Sequence, residues 1–117
     1  MGDNADMTEQ TCATPSSMRP RIALYSHDTM GLGHIRRNTL IAQTLIQPPL
    51  SAQVLLVSGI RESGAFALPP GIDSITLPAY RKRPDGNYTA RALDMPLEQL
   101  VALRSQTILA ALTAFAP

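Results

Sequence analysis

The chain has 117 residues, a formal net charge of +1 and 44% hydrophobic residues, the size of one small domain. So balanced a charge excludes the basic face that general nucleic-acid binding needs, and two Phe, three Tyr and no Trp leave little for base stacking. The single cysteine, Cys12, excludes an internal disulfide and a cysteine-rich zinc site.

Residues 1 to 19 are polar, without periodicity, and read as a disordered leader. They lack a basic region followed by an apolar one, so no secretory signal is expected, and the expected localisation is cytoplasmic. Arg21 to Ser26, "RIALYS", is short and apolar between Pro20 and a glycine turn, which predicts a buried strand. A helix should begin at Gly33 or His34 and stop before Pro48 and Pro49, because proline cannot continue it. Its apolar stripe would comprise Ile35, Ile41, Ala42, Leu45 and Ile46, opposite Arg36, Gln43 and Gln47. Ala52 to Ser58 reads as a second buried strand, "IRESGAFAL" as a short helix, and Ile72 to Pro78 as a third strand.

Pro78 to Leu93 reads as a long loop with a turn at Pro84 to Gly86. Asp94 is a candidate N-cap and Pro96 a first-turn residue of a last helix. Leu97, Val101, Ile108, Leu112 and Phe115 would mark its buried face. This order predicts an α/β fold, a partial Rossmann-like parallel sheet of about three strands with flanking helices. A doubly wound sheet would continue with another strand where this chain ends on a helix and Pro117, so half of such a domain is expected over residues 20 to 117.

The chemistry concentrates in "YSHDTMGLGHIRRN". A dinucleotide fingerprint needs a third glycine, where Arg36 stands, and an acidic residue after the second strand, where Ser58 and Gly59 stand. No Walker sequence is present either, so nicotinamide and ATP binding are disfavoured. Gly31 and Gly33 open a helix, whose free backbone N–H groups can hold a phosphate or a developing negative charge. The alternative is that they only permit a tight turn. His34 shares a side with Ile41 and Leu45, which places it toward the carboxyl ends of the strands, where open α/β sheets bind ligands. There it can act as a base or donate to an anion; the alternative is a helix-capping or satisfied structural histidine. His27 and Asp28 can orient it, although for His27 an ordinary turn role is favoured. Arg36 and Arg37 oppose the helix dipole, which makes sense with an anion nearby, and Arg37 lies nearer the cleft. Arg81, Lys82, Arg83 and Arg91 read as a solvated run; the alternative is a phosphorylated acceptor or peripheral contact with an anionic membrane.

The pattern Met-Gly-x-Gly-His-x-x-Arg, Met30 to Arg37, in its strand-to-helix setting resembles the first loop of GT-B-fold glycosyltransferases. It is most similar to the predicted-glycosyltransferase group related to the peptidoglycan N-acetylglucosaminyltransferase, and also resembles nucleotide-sugar hydrolases of that fold. The resemblance implies an N-terminal acceptor domain facing a second Rossmann-like domain, absent from this chain, that binds the nucleotide-sugar donor. It implies sugar transfer to a sugar or lipid-linked acceptor. Gly31 and Gly33 would line the cleft with Arg37, His34 would be the base or phosphate contact, and no metal or other cofactor is implied. Without the donor half the chain alone would be inactive, and a non-catalytic remnant or binding module is the rival expectation.

Overall fold

The structure, a computed structural model, describes residues 19–29, 31–61 and 67–117. The expected leader apart from Arg19, Cys12, Met30 and the centre of the short helix after the second strand lie outside the described residues.

Strands β1 (Arg21–Ser26), β2 (Gln53–Ser58) and β3 (Ile72–Thr76) form a parallel sheet in the order β1-β2-β3. Helix α1 (Gly33–Leu45) joins the first two strands and packs on one face of the sheet. Period-two alternation supplies that face: Ile22 and Leu24 of β1 lie beside Val54 and Leu56 of β2. Ile35 and Ala42 of α1 close over them, with Ala52 and Ile72, to make the main core. Burying a side chain such as Leu56 there contributes about 1.5–3 kcal/mol.

The buried stripe of α1 runs through Ile35, Thr39 and Ala42, and corrects the expected one: Ile41 is exposed. Thr39 suits a buried face because its hydroxyl donates to the Ile35 carbonyl at 2.7 Å. His34, seven residues before Ile41, therefore lies on the solvent side of the helix.

Helix α2 (Leu97–Phe115) covers the other face of the sheet. Arg104 reaches the Tyr25 hydroxyl at the end of β1, and Arg21 at its start donates to the Phe115 carbonyl at 3.1 Å. The helix thus runs antiparallel to β1, with a cation at its carboxyl end. Its N-cap is Pro96, not Asp94, and the Pro96 carbonyl accepts from the Gln99 and Leu100 amides. Its buried positions are Leu100 and Arg104, while the expected face residues Leu97, Val101 and Leu112 are exposed. A gap of about 340 Å³ remains between Ile108 and Leu112 and the sheet residues Ala23, Tyr25 and Val57.

The expected long loop holds a hairpin instead. β4 (Tyr80–Lys82) pairs antiparallel with β5 (Tyr88–Ala90). The Pro84 to Gly86 turn closes it: the Gly86 amide donates to the Arg83 carbonyl at 2.9 Å, and Gly86 has φ +89°. Two strands of three residues are not stable by themselves, so the hairpin depends on what its side chains touch. Residues directly opposite share a face, which puts Tyr80, Ala90, Lys82 and Tyr88 together on one side of the ribbon.

No described helix is long and apolar enough to cross a membrane.

Candidate functional site

The parallel register brings Ser26, Ser58 and Thr76 side by side as the last residues of the three strands. Beyond them the chain turns, and Asp28 folds back beneath the edge with φ +51°, a conformation that Asp tolerates better than most residues. Its carboxyl is buried. Oδ2 accepts hydrogen bonds from the hydroxyls of Ser26 and, at 3.2 Å, Ser58. Oδ1 is buried without a hydrogen-bond partner among the described residues. Asp28 therefore ties the β1 turn to the end of β2, and sets where its neighbour His27 projects.

His27 sits among rings rather than in an idle turn. Its ring centroid lies 5.3 Å from that of Tyr80 and 5.7 Å from that of Tyr88, which meets it edge-on. The two tyrosines are 5.7 Å apart, so hairpin and β1 turn share one aromatic cluster. Arg104 supports the cluster from α2. Its guanidinium carbon stands 4.2 Å above the Tyr80 ring, and its nitrogens donate to the Pro78 carbonyl and, at 2.8 Å, to the Tyr25 hydroxyl. The Tyr25 oxygen in turn lies 3.1 Å from His27 Nδ1.

The His27 pKa lies below the ordinary 6.5. Loss of water where its ring meets the tyrosines is the largest cause, followed by the positive charge of Arg104; Asp28 pulls the other way and His34 adds a smaller depression.

Gly59 makes this close assembly physically possible. A Cβ there would lie 2.2 Å from the His27 carbonyl oxygen and 3.2 Å from an Arg104 nitrogen. The Gly59 amide also donates to the Ser26 carbonyl at 3.1 Å, which holds the two chain segments together. Gly59→Ala should cost about 1–3 kcal/mol, because backbone must move to admit the methyl group. A lower denaturant midpoint, with changed amide shifts at His27 and Tyr25, checks this; an unshifted midpoint contradicts it.

The residues expected from the sequence lie at the start of α1, next along the chain from this cluster. Gly31 has φ +75°, a backbone state that favours glycine. Gly33 has none of the described residues within 4 Å of where a Cβ would be. His34 and Arg37 are exposed. No described side chain caps the helix and no acidic residue stands in its first turn, so its N-terminal amides and dipole are not offset by its own residues. Asn38 anchors the helix to β1 by donating to the Tyr25 carbonyl at 3.1 Å.

Sequence reasoning missed Tyr25, Tyr80, Tyr88 and Arg104. The only signal for the tyrosines was that all three in the chain fall before or within segments flanking the sheet's carboxyl edge. Arg104 carried none, since a lone cation inside an apolar helix reads as solvent-facing. Compared with known proteins, the chain matches no family model, no curated protein and no solved structure.

Proposed function

We propose that this chain forms the acceptor side of a GT-B-type glycosyltransferase, which moves a sugar from a nucleotide-sugar donor to an acceptor hydroxyl. The observation that supports the reading is a ring surface of His27, Tyr80 and Tyr88 at the carboxyl edge of a parallel sheet, followed along the chain by a glycine-opened helix with no described side-chain cap. Such edges bind ligands in open α/β sheets, and rings flanked by a few directed polar groups suit a polyhydroxyl ring. Gly31 and Gly33 leave room for the ligand beside the helix start, and Arg37 supplies positive charge there. In the reaction the acceptor oxygen bonds to the anomeric carbon as its bond to the diphosphate breaks. His34 takes the hydroxyl proton, and the diphosphate leaves with the bonding electrons. The donor is held by a second Rossmann-like domain.

The test is binding of a panel of methyl glycosides to the chain, followed by amide and ring chemical shifts. Shifts should concentrate at Gly33, His34, His27, Tyr80 and Tyr88. Tyr80→Ala should weaken binding about ten-fold, the equivalent of 1.4 kcal/mol. Tight binding of nucleotide sugars with no response to any glycoside would overturn the acceptor-side reading.

A further inference from the structure

The contacts of Tyr25 constrain the proton positions around His27. Its oxygen accepts from an Arg104 nitrogen at 2.8 Å, and Arg104 has no acceptor of its own to offer in return. The phenol proton is then free to point elsewhere, and His27 Nδ1 stands 3.1 Å away. If Nδ1 carried a proton, two N–H donors would converge on one phenol oxygen and the phenol proton would lose this acceptor. If Nδ1 is bare, both contacts of the phenol are matched: Arg104 donates to Tyr25, Tyr25 donates to His27, and the remaining imidazole proton sits on Nε2.

We infer that Arg104 and Tyr25 form a relay that fixes His27 as a neutral Nε2–H tautomer, making it a hydrogen-bond donor, not a base, beside the Tyr80 and Tyr88 rings. Arg104 is suited to head such a relay because it is 3% exposed and its guanidinium offers donors but no acceptor. Two further groups bear on His27: Asp28, its chain neighbour, whose Oδ2 is already engaged by Ser26 and Ser58, and His34 on α1. Tyr80 and Tyr88 face it from the hairpin as rings. Burial and the Arg104 charge oppose protonation, which agrees with the matched neutral arrangement. A neutral donor suits a hydroxyl or ether oxygen of a ligand ring. That choice of ligand rests on the acceptor-side reading above, whereas the tautomer does not.

On that reading the labour divides between the two histidines. His27 orients a ligand oxygen, and the proton-accepting role falls to His34.

Two-dimensional ¹⁵N–¹H correlation of the imidazoles in the ligand-free chain tests this directly. Wild-type His27 should show a bare Nδ1 and a protonated Nε2, and should titrate below 6.5. Tyr25→Phe, at a side chain 49% exposed, removes the relay with little loss of packing. It should mix the two tautomers and leave the His27 pKa changed from wild type. A depressed folded pKa gives stability that is present above 6.5 and lost as pH falls through the folded value. Melting temperature should therefore drop more between about pH 7 and about pH 5 in wild type than in His27→Gln. A protonated Nδ1 in wild type overturns the relay, and needs no variant to fold. An unchanged tautomer in Tyr25→Phe overturns it as well. A fixed tautomer in a chain that ignores every glycoside would sustain the relay and sink the acceptor-side reading.

Discussion

On the acceptor-side reading proposed above, His34→Ala in a two-domain parent enzyme is expected to lower turnover about 10²–10⁴-fold, the range of a lost general base. Melting temperature should stay near that of wild type, because His34 is exposed and contributes nothing to the packed stripe of α1. The pairing of these two outcomes is informative. A histidine that only stabilised the helix start would show the opposite, a lower melting temperature with unchanged turnover. A histidine that only contacted a phosphate would raise KM and leave turnover at saturation largely intact. His27→Gln provides the internal comparison. It should act mainly on acceptor KM, since a donor that orients a ligand oxygen contributes to ground state and transition state alike. Unchanged turnover in His34→Ala would remove the base from this helix.

Much of the scaffold is legible from sequence for a simple reason. β1 and β2 are apolar runs bounded by proline, glycine and polar residues, and short bounded runs have few alternatives to a buried strand. α1 is bounded as clearly, by Gly33 and by Pro48 and Pro49. What failed were choices among similar faces. Ile41 outranks Thr39 in hydropathy, yet the fold buries Thr39, whose hydroxyl is satisfied within its own helix. α2 carries leucines on several sides, so periodicity could not distinguish Leu100 from Leu97 or Leu103. The hairpin strands are three residues long, too short to show alternation, and only the Pro84 to Gly86 turn announced them.

Of the candidate site, the sequence points only to the glycine turn and His34, and it places His34 on the wrong side of α1. The glycine turn and His34 stand together in sequence, and spacing describes them. The ring cluster joins β1, the hairpin and α2, with Arg104 79 positions from Tyr25, and no local pattern encodes such a meeting. Asp28 was placed in the turn, but its left-handed backbone and its grip on Ser58, 30 positions away, are products of the sheet register.

Arg104→Ala tests whether the cluster depends on its buried cation. The substitution leaves the Pro78 carbonyl and the Tyr25 hydroxyl without their donor and removes the support under Tyr80. Both acceptors are only partly buried, so losing their donor costs about 1 kcal/mol, and the vacated volume adds to that, so a loss of about 1–3 kcal/mol is expected. At this chain length each kcal/mol lowers the melting temperature by about 4–8 °C. The damage should be uneven. The hairpin has two short strands held to the rest of the chain by its tyrosines and by α2, so its amides should lose hydrogen-exchange protection first, notably Arg83 and Arg91, which donate to Asn87 and Ala79. Core amides such as that of Val54 should keep most of theirs. Arg104→Met separates the two contributions, since methionine fills much of the volume but donates nothing. If Met restores most of the stability but not the hairpin protection, the cation's hydrogen bonds anchor the hairpin while its bulk supports α2. If both variants keep wild-type protection at Arg83 and Arg91, Arg104 does not hold the ring surface in place, and the hairpin must be anchored by its tyrosines against His27.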